Sequence, residues 1–292
     1  MRVGVVILPE HSWPEARRLW RRAEELGFDH AWTYDHLSWR SLRDGPWHAA
    51  VPTLAAAAVV TDKIRLGTLV ASPTFRHPVP FARELITLDD LSAGRFTLGI
   101  GAGGFGWDAT TLDREPWSTK ERADRFTEFV SLTDLLLRQT VTTREGRWYS
   151  AFEARSAPGC VQQPRLPVAI AAGGPRGMRL TAELGQAWVT VGERDREGGA
   201  APVDEGVATV AGQIEALESA CAAVGRDPAT LDRIVLSGLN LDSGLGSVGE
   251  FEDAVGRFEA VGATDVVVHW PRPTDPYQGD EAAFEKLFAA RL

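Results

Sequence analysis

Asp35 and His36 are the adjacent pair in this sequence best suited to catalysis. An imidazole titrates near neutral pH, and a neighbouring carboxylate can orient it or change its charge, so the pair could perform acid–base chemistry. The alternative is structural: a carboxylate that caps a loop beside a half-buried histidine. No second or third metal ligand follows at a spacing such as His-x-x-x-His. We therefore expect acid–base chemistry and no metal.

A glycine-rich segment, Gly173-Gly174-Pro175-Arg176, follows an apolar run and opens a predicted helix. Glycine lets the backbone approach an anion, the start of a helix presents free N–H groups, and Arg176 adds positive charge. The segment therefore indicates phosphate binding, with a plain strand-to-helix turn as the alternative.

A second glycine-rich segment, Gly99–Gly104, matches the G-x-G-x-x-G pattern of dinucleotide-binding proteins. That fingerprint requires a helix to begin at once, whereas we predict a loop over Trp107–Ser118. We therefore reject a Rossmann site. The glycines are expected to let the main chain pass close to a flat ligand, with Phe105 and Trp107 as walls.

The elements that must position these residues alternate between short apolar runs and helical periodicity. The predicted strands are Val3–Leu8, His30–Tyr34, Ile64–Val70, Phe96–Ile100, Val168–Ala172, Ala187–Val191, Arg233–Leu239 and Asp265–Trp270. The predicted helices are Pro14–Leu26, Pro52–Thr61, Val79–Leu91, Thr119–Leu137, Arg176–Leu184, Glu205–Val224, Val248–Ala260 and Glu281–Leu292. Eight such units favour an α/β fold of the (β/α)8 barrel type, with an open doubly wound sheet as the runner-up.

Two segments break this alternation. Thr140–Pro164 contains a hairpin-like turn and is predicted to be an excursion from the barrel, between its fourth and fifth strands. Gly192–Pro202 has the composition of a loop. We interpret residues 1–292 as one barrel domain that includes the excursion.

In a (β/α)8 barrel, the chemistry lies at the carboxyl ends of the strands. The segments that follow the predicted strands are long and rich in aromatic residues, glycine and histidine. They indicate a wide, flat, apolar pocket. The side chains expected to line a substrate pocket are Trp39, Trp47, His48, Arg76, Trp107, His269 and Trp270.

Composition excludes several classes of function. The chain has 292 residues with 31 Lys+Arg and 40 Asp+Glu, so its net charge of −9 argues against nucleic-acid binding. Two cysteines in no metal or redox spacing argue against a disulfide framework and for a reducing cytoplasm. The longest apolar run, Leu54–Val60, is far too short for a membrane span.

Several motifs in order together resemble the luciferase-like monooxygenase superfamily, in its branch of deazaflavin (coenzyme F420)-dependent oxidoreductases. They cover nearly the whole chain. These motifs are 23–29 (AEELGFD), Asp35-His36, 64–68 (IRLGT), 72–78 (SPTFRHP), 88–95 (LDDLSAGR), 99–103 (GIGAG) and 172–175 (AGGP). Singly they are weak, but in this order they are specific. The resemblance implies a (β/α)8 barrel with a cofactor at its C-terminal face, which agrees with the independent strand count.

The resemblance also implies roles for particular residues. His36 would be the acid/base, and Asp35 would contact the cofactor or orient His36. A non-prolyl cis peptide is implied at Leu69–Val70, against the ring, with Ala102 and Gly103 also lining the ring. The amides of Gly173 and Gly174 would hold the cofactor phosphate. The implied cofactor-binding set is completed by Ala172, Arg176 and Thr190.

Departures from the family pattern bear on the substrate. Relatives that oxidise a sugar phosphate carry a Glu where this chain has Gly104, and a Lys near Glu193. Neither is present, which argues against glucose-6-phosphate as the substrate. The family also has a Trp about where Arg40 stands, and Trp39 would replace it only with a shift.

The resemblance leads to three hypotheses. The first is an F420-dependent oxidoreductase that transfers a hydride between the deazaflavin and a small organic substrate, in C=C or C=N reduction or alcohol oxidation. The second is an FMN-dependent monooxygenase that uses reduced flavin and oxygen. The third is a non-enzymatic protein that binds flavin or deazaflavin. A homodimer is also expected, with the alanine-rich run Leu54–Val60 as one candidate contact and internal packing of that run as the alternative.

Overall fold

The chain alternates between strands and helices along its length. The computed structural model describes residues 1–104, 106–193 and 199–290. The strands in these ranges are β1 (Arg2–Val6), β2 (His30–Thr33), β3 (Arg65–Thr68), β4 (Phe96–Gly101), β5 (Val141–Arg144), β6 (Ala151–Arg155), β7 (Val168–Ala171), β8 (Ala187–Thr190), β9 (Asp232–Leu236) and β10 (Asp265–His269). The helices are α1 (Trp13–Glu25), α2 (Ala50–Ala58), α3 (Pro78–Leu91), α4 (Trp107–Thr111), α5 (Thr119–Arg138), α6 (Pro175–Leu184), α7 (Val203–Ala223), α8 (Val248–Ala260) and α9 (Glu281–Ala289).

Eight parallel strands close into a barrel in the order β1-β10-β9-β8-β7-β4-β3-β2. The closing pair joins β1 to β10, with Arg2 opposite Asp265 and Val6 opposite His269. Strand β4 pairs directly with β7, so the antiparallel hairpin of β5 and β6 lies outside the barrel sheet. The (β/α)8 fold predicted from the sequence is confirmed, as is the hairpin in the excursion.

The barrel strands are apolar on both faces because helices cover the outside and side chains fill the inside. A large buried cluster joins the helices to the sheet and includes Val5, Leu19 and Phe81. A smaller one consists mainly of strand residues such as Val6, Val189 and Val267. In β1, Val5 belongs to the first cluster and Val6 to the second, as the alternation of side chains along a strand requires.

Strands β3 and β4 approach each other very closely at Gly99. A Cβ atom added there would lie 1.9 Å from the carbonyl oxygen of Thr68. The Thr68 hydroxyl also donates to the carbonyl of Gly99, at 2.7 Å. The contact fixes the relative position of two strands whose carboxyl ends carry site residues.

The predicted loop over Trp107–Ser118 is wrong at its start, because Trp107–Thr111 form the short helix α4. Five residues give a pattern too short for helical periodicity to reveal. The rejection of a Rossmann site still holds, because β4 runs to Gly101 and Gly106 is the cap of α4. Of the loop predicted at Gly192–Pro202, residues 194–198 lie outside the described residues. Phe105 and the final two residues, predicted as the end of the last helix, lie outside them too.

Candidate active site

A cavity of about 320 Å³ opens at the carboxyl ends of the barrel strands. Its walls come from the segments that follow β2, β3, β4 and β9, together with the ends of β7, β8 and β10. Because parallel strands in a barrel all end on the same face, residues distant in sequence converge there. His36, Leu69, Gly103 and His269 all line this one cavity.

His36 is held by Asp108, from the short helix α4. Nδ1 of His36 lies 2.8 Å from Oδ2 of Asp108, and the carboxylate is buried. Oδ1 of Asp108 accepts the backbone N–H groups of Leu37, at 2.7 Å, and Ser38, at 3.2 Å. Both carboxylate oxygens of Asp108 thus contact the loop that carries His36. Since an ionised carboxylate only accepts, His36 carries its proton on Nδ1 and leaves Nε2 to exchange protons with a ligand.

Asp35 lies in a different environment from the expected one. Its carboxylate is buried and receives two hydrogen bonds from Arg76, both at 2.8 Å. The expectation that Asp35 orients His36 is therefore wrong: Asp108 occupies that position. Burial, the largest single influence, lowers the pKa of Arg76, but hydrogen bonds and charge interactions with Asp35 and Glu84 together raise it above its usual value.

Arg76, expected in the substrate pocket, is likewise placed elsewhere. Its guanidinium also donates to Glu84, at 2.9 Å, and packs over the ring of Phe81. Among the residues that the structure describes, neither Arg76 nor Asp35 lines the cavity. Two carboxylates, those of Asp35 and Glu84, already neutralise Arg76. Through Asp35, it connects the loop after β3 to the start of the loop that carries His36.

The ends of β3 and β4 form the wall expected to contact a flat ring. Leu69, Val70, Ala102 and Gly103 all line the cavity, and the Leu69–Val70 peptide bond is cis, as implied by the resemblance. Beyond them, a Cβ atom added to Gly104 would meet nothing within 4 Å, so its backbone faces open space. This wall therefore presents main chain and small side chains to a ligand.

A buried polar cluster lies beneath the cavity. The hydroxyl of Tyr34 lies 2.8 Å from Nε2 of His269 and 2.9 Å from the hydroxyl of Tyr277. The rings of His269 and Tyr277 stack at 3.5 Å between centroids. Burial lowers the pKa of His269 to about 3 and raises that of Tyr277 to about 12, so both are neutral at pH 7. His269 thus supplies a neutral polar surface to the cavity.

The expected phosphate-binding residues lie beyond this cavity. Gly173 and Gly174 are exposed at the N-terminus of α6, and Arg176 forms an ion pair with Asp124. Hydrogen bonds from Lys120 and Arg176 lower the pKa of Asp124 to about 2, so the carboxylate is charged and competes for the arginine. Ala172 is half-buried beside them. An anion there would meet exposed helix amides first.

Thr190 is buried, and its hydroxyl donates to Gln213 of α7 and accepts the N–H of Gly192 at 3.0 Å. Within the described ranges, Thr190 is absent from the cavity wall, as are Ala172, Gly173, Gly174 and Arg176. Gly173, Gly174 and Arg176 were predicted to bind a phosphate from the glycine-rich helix start as well as from the resemblance, and Ala172 and Thr190 complete the set that the resemblance implies. No contact in the structure tests these five positions.

The predicted substrate-pocket residues separate into two groups. Trp39, Trp107 and His269 line the cavity. Trp47 lies behind Trp39, stacked on it at 6.2 Å, and donates its indole N–H to the carbonyl of His36 at 2.9 Å. Trp47 thus supports the wall.

His48 and Trp270 are corrected by the structure. His48 is exposed and is not among the described residues that line the cavity. Trp270 is buried in the helix-to-sheet core against Phe284, with 5.2 Å between ring centroids. Side chains alternate along a strand, so Trp270 packs into the outer core cluster while the preceding His269 lines the cavity.

Sequence reasoning missed several cavity residues, of which Asp108, Trp117 and Arg122 are the most informative. All three follow β4, in or just after the stretch predicted as loop. The available signal was an acidic residue directly after a glycine-rich strand end, in the same face of the barrel as His36.

Within the described residues, no group of three His, Cys, Asp or Glu side chains is arranged to hold a metal ion. None of the described helices is long and apolar enough to cross a membrane.

Comparison with known families agrees with this architecture. Residues 1–241 match the sequence profile of the luciferase-like monooxygenases. The chain belongs to that family.

Two curated relatives are similar to part of this chain. The F420-dependent glucose-6-phosphate dehydrogenase of Beutenbergia cavernae is 38% identical over 180 residues, 60% of this chain and 52% of that protein. The 4-hydroxyprotoasukamycin monooxygenase of Streptomyces nodosus subsp. asukaensis is 31% identical over 204 residues, 67% of this chain and 54% of that protein. The chain thus spans about half the length of these relatives.

Among solved structures, an F420-dependent secondary alcohol dehydrogenase in complex with an F420-acetone adduct resembles this chain with a TM-score of 0.82. The match covers 100% of this chain and 98% of that one, at 18% identity. Similarity at this level of identity establishes the shared fold.

Proposed function

We propose that this protein is an F420-dependent oxidoreductase, in which His36 exchanges a proton with the substrate through Nε2. The observation that carries the proposal is the His36–Asp108 pair at the wall of a cavity floored by Leu69, Val70 and the glycine-rich end of β4. Relatives that use F420 support the choice of cofactor. When bound, F420 would supply the hydride donor or acceptor.

The residues present fit such a group. Main chain at Gly103 and Gly104 gives a flat ring close access, because a side chain at Gly104 would project into the open space. Trp39 offers an aromatic wall, and neutral His269 adds a polar contact without charge. Gly173 and Gly174, at the exposed start of α6, would hold the cofactor phosphate.

The chain's own part in the reaction is positioning and proton transfer. Asp108 fixes the tautomer of His36, the indole of Trp47 holds the His36 carbonyl, and the aromatic walls exclude water from the reacting atoms. The substrate is a small organic molecule, and the reaction is C=C or C=N reduction or alcohol oxidation. Two buried free cysteines, Cys160 and Cys221, support a cytoplasmic location.

Titration with F420 and with FMN tests the cofactor. We expect the purified protein to bind F420 and to bind FMN more weakly; a protein that binds FMN alone would refute the deazaflavin proposal and favour the flavin monooxygenase. Hydride transfer is then followed at the deazaflavin absorbance, with secondary alcohols and with α,β-unsaturated carbonyl compounds as probes.

The His36→Ala variant tests the proton-transfer role. We expect it to bind F420 as tightly as the wild type and to lose turnover by about 10²–10⁴-fold. His48→Ala is the matched control, because His48 is exposed outside the cavity wall. Equal turnover of His36→Ala and the wild type would refute the assignment and leave a cofactor-binding role.

We further propose a homodimer. Leu54, Ala57 and Ala58 of the candidate run are buried within the monomer, which favours internal packing for most of it. Val59 and Leu91, at the ends of α2 and α3, remain 64% and 41% exposed and leave apolar surface for a second copy. Light scattering should show a dimer that Val59→Glu weakens; a monomeric wild type would contradict the proposal.

A further inference from the structure

The cavity wall carries one cation, Arg122, that no carboxylate among the described residues neutralises. Arg122, on the first turn of α5, is half-buried and lines the cavity. Within the part of the chain that the structure describes, Arg122 makes one hydrogen bond, from Nη1 to the carbonyl oxygen of Gly104, at 3.2 Å. Among the described residues no carboxylate lies within ion-pair distance of it. Four of its five N–H donors therefore remain for a ligand.

The other charges on the cavity wall do not cancel this cation. Asp108 is the carboxylate on the described wall, and His36 and two backbone amides already engage its oxygens. Arg40 adds a second positive charge, with its guanidinium 5.6 Å from the centroid of the Trp39 ring. The wall as described thus holds more positive than negative charge, although the whole chain carries −9.

Arg122 lies on the same stretch of chain as Asp108, the partner of His36. Its partner Gly104 precedes Asp108 by four residues, and Gly106 between them packs so closely on Pro116 that an added Cβ would lie 2.6 Å from that ring. Trp107 and Trp117 flank this contact and both line the cavity. Arg122, both indoles and His36 line one cavity, so a molecule held by Arg122 would lie in the same cavity as the acid–base pair.

We propose that Arg122 is a specificity-determining residue that binds the carboxylate of a flat organic acid, the substrate of this enzyme. The guanidinium matches a carboxylate in a two-pronged contact, and the indole rings supply a surface for a planar body. Gly104, whose carbonyl accepts the hydrogen bond from Arg122, has open space at its Cβ position, which leaves room for a ligand at this part of the wall. The inference rests on the proposed function, since it names the substrate class of the same site.

Calorimetric titration with benzoate and with its neutral analogue benzamide tests the proposal. The titrations use the F420-loaded protein, or the cofactor-free protein if F420 does not bind, so that failure of the cofactor proposal leaves this test intact. We expect the wild type to bind benzoate about tenfold or more tightly than benzamide, as a charge-assisted contact requires. Equal affinities, or tighter binding of phenyl phosphate than of benzoate, would overturn the proposal.

Variants separate recognition of the carboxylate from support of the wall. Arg122→Gln should lose the preference for benzoate while its affinity for benzamide and for F420 stays unchanged. The control Arg43→Gln removes a cation that stacks on Trp107, at 5.1 Å, but does not line the described cavity, and it should retain the preference. An Arg122→Gln protein that keeps the preference, that loses both ligands equally, or that loses F420 affinity would overturn the assignment.

Discussion

Asp108 decides which nitrogen of His36 is available for chemistry. Its Oδ1 is fixed by the amides of Leu37 and Ser38, so Oδ2 must face the imidazole. An asparagine in this place would keep its carbonyl oxygen on the two amides and turn its NH2 group toward Nδ1. The imidazole would then carry its proton on Nε2 and could no longer accept one there.

We therefore expect Asp108→Asn to lower turnover by about 10²-fold while F420 affinity stays within a few-fold of the wild type. Asp113→Asn, an equivalent change at an exposed position just after α4, is the control. Unchanged kcat in Asp108→Asn would show that His36 does not depend on this carboxylate.

His269 predicts an acid sensitivity of the fold. Burial holds its pKa at about 3, against about 6.5 for an unfolded histidine, so between these values the unfolded chain binds the extra proton. The free energy of unfolding should therefore fall as the pH drops below 6.5, with His269 contributing up to about 1.4 kcal/mol per pH unit.

Urea unfolding at pH 7, 6 and 5 measures this dependence. His269→Gln should flatten the curve, whereas His48→Gln, at an exposed site, should leave it unchanged. A wild type with the same pH dependence as His269→Gln would show that the buried imidazole is not the cause.

Prediction from sequence worked best for residues whose type alone carries chemistry. His36, Trp39, Trp107 and His269 all line the cavity, and each ends or follows a barrel strand, while their roles there stay predictions. Asp108 and Arg122 were missed, because their roles come from contacts across the barrel mouth that no local pattern reveals. Trp270 was expected in the cavity but packs into the helix-to-sheet core, because successive side chains point to opposite faces of the sheet and the preceding His269 faces the cavity.

At the scale of elements, the barrel depends on a few close contacts between neighbouring strands. Gly99 lets β4 pass the carbonyl of Thr68, which leads directly into the Leu69–Val70 segment of the cavity wall. The strands themselves were predictable, because apolar runs covered on both faces differ sharply from helical periodicity. The short helix α4 was not, since one turn carries no periodic signal.

Gly99→Ala should destabilise the protein by about 2 kcal/mol or more, because the added methyl overlaps backbone and not a movable side chain. Denaturant unfolding measures the loss, and F420 affinity should fall with it as Leu69 and Val70 shift. Gly104→Ala is the matched control for stability alone, with open space around its Cβ position. Equal stability of the two variants would show that β3 and β4 tolerate a wider spacing.

At the scale of the whole molecule, charge opposes the proposed cofactor at a distance and favours anions only locally. A net charge of −9 repels an approaching phosphate, while Arg40 and Arg122 lie at the cavity and Gly173 at an exposed helix start. The expectation of repulsion follows from composition alone, whereas the placement of the arginines needed the fold.

The rate of F420 association should therefore rise when salt increases from 10 to 150 mM, because the Debye length shrinks from about 30 to about 8 Å. Dissociation, which depends on contacts within the site, should change less. Stopped-flow fluorescence measures both rates. An association rate that falls with salt would mean that the arginines dominate the long-range field.

The wall of the cavity that bears Trp107, Asp108, Trp117 and Arg122 is one continuous stretch of chain between β4 and the first turn of α5. The barrel strands on either side pair with each other without help from it, since β4 joins β7 directly. A segment of this kind can be replaced as a unit, together with the substrate preference that it determines. Exchange of residues 107–122 between related barrels, with an aspartate kept at position 108 to hold His36, would transfer the choice of substrate while Ala102 and Gly103 stay in place for the cofactor.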